Sequence, residues 1–419
     1  MKILWLCNPI LGPVRQALGG GSGDGMWMDH VLSDLRSREG LRMRLLCLGG
    51  NASGRLEDGT EYALFPEKDP GKYSRTLEEW FSRQLAEFQP DVIHIWGSEY
   101  GHCLAMVNAA EKLGMISRVA VSIQGIAGIY ARHMAEGLPP RVCRGKTFRD
   151  FLRKGSVLQE QRYFEQRGAL ERRALEKVSH VLGRTDWDRA ITGQYNAGRI
   201  YHFCNETLRQ SFYQGTWRYD RCRKHHIFAS SCSLPLKGFH YLLEALVIVL
   251  DRFPDATISV TGQSFFPSGW EQRLRQQYYF RHLERFCREH GLTDKIQFLG
   301  HLDAEGMKQA YLRANVFALP SAIENSPNSL GEAMLLGVPC VAADVGGVTN
   351  LMRPGEGYVY QSTAPYMLAN YIMAVFDQEE GAQQMGALAR EHALRTHDPE
   401  QNLEALLKAY REIAGKESI

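Results

Sequence analysis

Two carboxylates, Glu324 and Glu332, stand with seven residues between them, around Asn325-Ser-Pro327-Asn328-Ser329-Leu330-Gly331. A carboxylate accepts hydrogen bonds from sugar hydroxyls, and a helix start offers unpaired N–H groups and about half a positive charge. Ser326-Pro327 reads as an N-cap followed by proline at the first helical position, so that start falls between the two acids. The combination suits a ligand carrying both phosphates and sugar hydroxyls. Lys237-Gly238, earlier in the same half, supplies a compact positive charge suited to a diphosphate. Arg184 ends an apolar run, where ligand-facing residues gather in open α/β sheets; pairing with a nearby carboxylate is the other reading of that position. The loop 17–25 is glycine-rich, and its Gly20 and Gly21 allow backbone to approach a ligand without a Cβ in the way. No register of that loop fits G-x-G-x-x-G, which disfavours an NAD-dependent oxidoreductase.

These residues need an α/β frame to hold them. Val316 to Leu319 reads as a short buried strand, the helix after Pro327 runs to Gly337, and Val338 to Ala343 is the next strand. The same alternation begins at Ile3 to Cys7 and continues with strands at 41–48, 91–96, 118–125 and 179–184. A helix is expected from Met26 to Leu35, another from Tyr73 to Phe88, and a long charged one from Gln159 to Lys177. A polar, basic linker, Gly215 to Arg223, separates this half from a second α/β run starting at His226, with strands at 257–262, 295–300 and 357–360. Helices are expected over 241–250, 304–314, 365–377, 381–394 and 401–414. His94, inside an apolar strand, reads as a core histidine rather than a chemical one.

The Glu-x7-Glu spacing, the surrounding Pro-Asn-Ser-Leu-Gly-Glu-Ala-Met, Gly337-Val-Pro-Cys-Val and Asp344-Val-Gly-Gly347 resemble the signature of retaining GT-B glycosyltransferases of the family 4 type. The strand Asp91-Val-Ile-His94-Ile-Trp96, the glycine-rich loop and the segment Tyr201–Tyr213 are similar to that family's first domain. The resemblance implies two Rossmann-like domains facing each other across a cleft: 1–214, with 400–419 crossing back to it, and 215–399. It implies transfer of a sugar from a nucleotide diphosphate sugar to a carbohydrate or lipid-linked acceptor, in surface polysaccharide or glycolipid synthesis. Lys237 and Gly238, with Asn328, Ser329 and Leu330 at the helix start, would then hold the diphosphate. Glu324 would orient the donor sugar, Glu332 the ribose hydroxyls, Gly20 and Gly21 would face phosphates and acceptor, and backbone near His301 would meet the base. Two positions depart from the family pattern. Gln124 stands where many members carry a histidine, and Cys232 where the family's phosphate-binding arginine falls, five residues before Lys237. Gln can donate and accept but carries no charge. Protein cations replace a metal in this scheme, and no D-x-D site is evident, so neither metal nor other cofactor is expected.

The segment 131–154 is locally basic, with Arg132, Arg141, Arg144, Lys146, Arg149, Arg153 and Lys154 among Leu138, Val142, Phe148, Phe151 and Leu152. It suits peripheral contact with an anionic membrane or acceptor, or it is a solvated insertion. The totals set the remaining bounds. A length of 419 residues favours two domains, and a net charge of +2 leaves no general nucleic-acid footprint. Nine scattered cysteines without C-x-x-C suit a reducing compartment. No apolar run is long enough to span a bilayer, so a cytoplasmic protein, at most peripheral on the membrane's inner face, is expected. Two other functions stay open at this point: a nucleotide-sugar epimerase or hydrolase of the same fold, and a non-catalytic sugar-binding paralogue.

Overall fold

The computed structural model describes residues 1–20, 27–67 and 69–415. Among these described residues the strands are β1 (Lys2–Cys7), β2 (Arg42–Leu48), β3 (Ser53–Arg55), β4 (Glu61–Phe65), β5 (Val92–Trp96), β6 (Val119–Ser122), β7 (His180–Gly183) and β8 (Ile200–Phe203), then β9 (His226–Ala229), β10 (Thr257–Val260), β11 (Ile296–Phe298), β12 (Val316–Leu319), β13 (Cys340–Ala343) and β14 (Tyr358–Tyr360). The chain divides into two units. One comprises Met1–Ile129, Phe164–Arg209 and the chain from His397; the other comprises Tyr130–Tyr163 and Gln210–Thr396.

The first unit holds a sheet in the order β3-β4-β2-β1-β5-β6-β7-β8, parallel except for the β3–β4 pair at its edge. Parallel strands covered by helices on both faces read as unbroken apolar runs, and β1 shows why. Its Ile3, Trp5 and Cys7 enter one buried cluster with Leu32, Leu35 and Tyr410; its Leu4 and Leu6 enter the opposite one with Phe81, Leu85 and Ile95. The final helix, Pro399–Ala414, belongs to this unit. Tyr410 fixes it there: its hydroxyl accepts from Trp5 Nε1 at 2.9 Å and lies 2.6 Å from His94 Nδ1. His94 Nε2 meets Ser122 Oγ at 2.7 Å, and burial pushes its pKa down to about 3, so it is a neutral core side chain.

The second unit holds an all-parallel sheet in the order β11-β10-β9-β12-β13-β14. This is the doubly wound order 3-2-1-4-5-6, in which the crevice for ligands lies at the carboxyl ends of the two strands where the winding reverses, here β9 and β12. Phe228 of β9 and Phe317 of β12, in register, pack with Tyr311 in a fully buried aromatic cluster.

Several expectations are corrected. The basic segment, expected inside residues 1–214, packs in the second unit. The buried Asp150 carboxylate accepts from the backbone N–H of Tyr278 at 2.8 Å, and Gly145 lies so close to the Tyr278 ring that a Cβ would meet it at 2.3 Å. The polar, basic linker contains one buried anchor, Trp217, whose Nε1 donates to the Ala314 carbonyl at 2.7 Å. The hairpin of β3 and β4 had no readable pattern, since β3 is a fully exposed Ser-Gly-Arg. The helix Gly101–Lys112 was missed because nearly every side chain in it is buried, which erases the polar stripe that marks a helix. Among the described residues, no helix is long and apolar enough to cross a membrane.

Candidate functional site

The second unit builds its site at the winding reversal. After β9 the chain makes a single 3₁₀ turn, Pro235–Lys237, and ends it at Gly238 in the left-handed conformation, φ 63°. A Cβ on Gly238 would lie 1.7 Å from the Pro320 carbonyl oxygen, so only glycine lets this turn press against the end of β12. The Ala322 N–H donating to the Leu236 carbonyl at 2.8 Å ties the two loops together. Glu324 follows on the β12 loop, held from its other side by the Asp344-Val-Gly-Gly segment. A Cβ on Gly346, φ 54°, would lie 1.8 Å from the Glu324 carbonyl oxygen, and the Gly347 N–H donates to that same oxygen at 3.2 Å.

These clamps set one contact. Lys237 Nζ donates to Glu324 Oε1 at 2.6 Å, and Ser321 Oγ donates to the same oxygen at 2.8 Å. The Glu324 side chain is 9% exposed and that of Lys237 38%, so the lysine is open to solvent while the glutamate keeps only an edge of it. Ser321 had no signal in the sequence beyond its place at the strand's end.

The helix that starts between the acids spans Asn328–Leu336 and closes at Gly337, φ 73°. It starts later than expected, with Pro327 itself at the N-cap position. The Leu330 and Gly331 N–H groups both donate to the Pro327 carbonyl, at 3.0 and 3.3 Å. Leu330 is therefore a buried core residue whose amide is already used, and the amides of Asn328 and Ser329 form the opening turn. Glu332 is buried on this helix, its Oε2 3.4 Å from the Tyr311 hydroxyl, which also donates to the Ser329 carbonyl at 2.9 Å. Cys232 is buried, its thiol pushed up to about 11 by burial, and it adds no charge near Lys237. His301 is exposed just past β11. An open cavity beyond the ends of β10 and β11 is lined by Gly262, Gln263, Phe265, Phe298 and Gly300.

The first unit gathers the other predicted residues at the carboxyl ends of β6 and β7. Arg184 Nη1 pairs closely with Glu206 Oε1, and both side chains are buried. Gln124 bridges them: its Nε2 donates to Glu206 Oε1 at 2.6 Å and its Oε1 accepts from Arg184 Nη2 at 3.3 Å. The reading of Arg184 as a carboxylate partner is the one observed. Glu206 was not singled out as its partner, because a strand-end glutamate carries no periodicity. His397 Nδ1 lies 2.7 Å from the Glu206 carbonyl.

A second acidic group lies close by and was not legible at all. Glu171, on the helix Val157–Leu175, accepts from Ser98 Oγ at 2.6 Å and from the Gly128 N–H at 3.3 Å. Burial, and next the charge of Glu99, push its pKa up to about 8; the Ser98 hydrogen bond and Arg167 oppose this. Burial also raises the Glu99 pKa. Gly20 is exposed after a short helix Gly12–Ala17, whereas Gly21 lies outside the described residues.

Residues 224–392 match the family model described as glycosyl transferases group 1. The chain is similar to a phosphatidyl-myo-inositol mannosyltransferase of Mycobacterium leprae, at 28% identity over 47% of this chain and 48% of that protein. It thus spans about half the length of that curated relative. The fold is shared with sucrose-phosphate synthase from Thermosynechococcus elongatus, TM-score 0.70 at 16% identity, covering 99% of each chain. It is shared too with Anabaena HepE in complex with UDP-glucose, TM-score 0.66 at 18% identity, covering 98% of this chain and 100% of that one. Each unit is thus Rossmann-like, in a fold of the GT-B type, and the segment holding Lys237, Glu324 and Glu332 is the one that matches glycosyl transferases group 1.

Proposed function

We propose that this protein moves a sugar from a nucleotide diphosphate sugar to an acceptor hydroxyl with the anomeric configuration retained, as a family 4 type enzyme of glycolipid or surface-polysaccharide synthesis. The observation that carries the reading is the 2.6 Å Lys237–Glu324 contact at the reversal between β9 and β12, on the loop that leads into the Asn328–Leu336 helix. In the reaction the bond from the anomeric carbon to the diphosphate breaks and negative charge grows on the departing phosphate. Lys237 and the amides of Asn328 and Ser329 are assigned to that charge. Gly238 lets the Lys237 turn close, and Glu324 turns to the donor sugar's hydroxyls. Glu332 is assigned to the ribose hydroxyls, with the base in the direction of β11 and His301. The acceptor hydroxyl attacks the face the diphosphate leaves, and its proton passes to the departing phosphate oxygen. Gln124, Arg184, Gly20 and Gly21 are assigned to the donor sugar, phosphates and acceptor from the first unit. Protein cations carry the charge in this scheme, with no metal assigned. The proposed setting is the cytoplasm, with contact at the membrane's inner face.

Melting curves with UDP-, GDP- and ADP-sugars test the reading, since a bound donor raises Tm by mass action. Incubation of the stabilising donor with simple glycosides and lipid extracts should then give a product whose anomeric coupling matches the donor's. No stabilisation and no donor consumption would refute glycosyl transfer. Equal release of free sugar without acceptor would identify a hydrolase, and loss of activity in EDTA would overturn the metal-free assignment.

A further inference from the structure

The second unit displays an apolar and basic face assembled from two segments far apart in sequence. One is the short helix Phe148–Arg153, which exposes Phe148, Phe151 and Leu152; the other is Trp270–Arg275, which exposes Trp270 and Leu274. The spacings, i, i+3, i+4 in the first and i, i+4 in the second, put each apolar set on one side of its helix. The two helices share a groove lined by Phe148, Arg149, Leu152, Arg153, Leu274 and Arg275.

These rings are displayed by design of the local hydrogen bonding, not by fraying. Thr147 and Asp150 form a reciprocal cap, each side chain bonding the other's backbone N–H at 3.1 Å. Asp150, fully buried, also takes the Tyr278 N–H, so the one acid of this helix faces inward and is spent. With its polar side anchored, the helix turns its aromatic side out. Phe151 is 71% exposed and Trp270 72%, and each stands on one of the two helices whose Phe148, Leu152 and Leu274 line the shared groove.

Charge decides what covers it. Arg149, Arg153 and Arg275 line the groove, and Arg141, Arg144, Lys146 and Lys154 are exposed in the same stretch 141–154, against Glu271 alone among the exposed acids of 141–154 and 270–275. A second copy meeting this face about a twofold axis would set the cations against themselves. Aromatic side chains at headgroup depth with flanking cations are what an anionic bilayer surface accepts. We propose that this face, helices Phe148–Arg153 and Trp270–Arg275 together, docks the protein on a membrane bearing anionic lipids. The inference does not depend on glycosyl transfer, because vesicle binding is read without turnover.

The full-length protein is sedimented with phosphatidylcholine vesicles, with and without phosphatidylglycerol. It should pellet with the anionic vesicles at low salt, release as salt is raised, and stay in solution with phosphatidylcholine alone. Phe151→Ser and Trp270→Ser should each weaken binding on the order of tenfold, and Arg153→Glu with Lys154→Glu by on the order of tenfold or more. All four side chains are exposed, so Tm should stay at the wild-type value and report that the variants are folded. Three results overturn the proposal: no pelleting with anionic vesicles, pelleting indifferent to both aromatic substitutions, or a concentration-dependent dimer that Phe151→Ser dissolves.

Discussion

Lys237→Ala separates chemistry from structure at the proposed site. In the ligand-free protein the lysine makes one ion pair, 2.6 Å from Glu324, and 38% of its side chain is exposed. A pair left that open to water stabilises the fold by about 1 kcal/mol at most, so Tm should move by only a few degrees. Glu324 keeps the Ser321 hydroxyl and its edge of solvent when the lysine is gone. In the reaction the same ammonium faces a developing phosphate charge, where removing one charged donor costs about 2.7 kcal/mol or more, at least a hundredfold in kcat. Cys232, where an arginine would have shared this task, is a buried neutral thiol, so no compensation comes from that position. The assay is initial-rate transfer from the stabilising donor at saturating acceptor, beside a melting curve of each variant. Lys237→Arg, which keeps the charge but not the compact shape, should recover part of the rate. Turnover of Lys237→Ala within a few-fold of wild type, or a rate loss matched by collapse of Tm, refutes the assignment.

Glu324→Gln should lower kcat far more than it weakens free nucleotide diphosphate, whereas Glu332→Ala should chiefly weaken the nucleotide by calorimetry; the reverse order would swap their roles. Arg184→Ala leaves the Glu206 carboxylate buried without its partner and should destabilise the protein by about 3 kcal/mol in denaturant, with Glu206→Gln in the same chain restoring much of the loss. Glu171 has a pKa raised above its unfolded value, to about 8, so its native form holds a proton the unfolded chain has released. Stability should therefore fall as pH rises from the ordinary carboxylate range to about 8, at about 1.4 kcal/mol per pH unit in that window. Glu171→Gln should flatten the fall; an unchanged slope would place the titration elsewhere, with Glu99 the next group whose pKa burial raises.

The two corrections at the site have one cause, that hydrogen bonds at an element's end depend on what the chain meets there. Ser326-Pro327 was expected to open the helix, yet Pro327 became the cap and its carbonyl took the Leu330 amide, which sets the usable amides at Asn328 and Ser329. The sequence offered Arg184 either a ligand or a carboxylate, and in the structure the buried Glu206, brought up by the chain after β8, pairs with it. Glu171 looked like any charge on a long polar helix, because a sequence shows a residue's neighbours along the chain and not the Ser98 and Gly128 that enclose it.

By itself the amino-acid order settled most of the inner strands and the α/β class. Apolar runs covered on both sides must be inner parallel strands, and glycines such as Gly238 and Gly346 end up where only a missing Cβ allows the backbone through. It also brought Lys237, Glu324 and Glu332 into one candidate site through their spacing and motif company. The strand order, the membership of residues 130–163 in the second unit and the partners of every buried charge came only from the tertiary structure. These are contacts between positions tens to hundreds of residues apart, and the free energy that selects them lies in burial and pairing, which no local window of sequence contains.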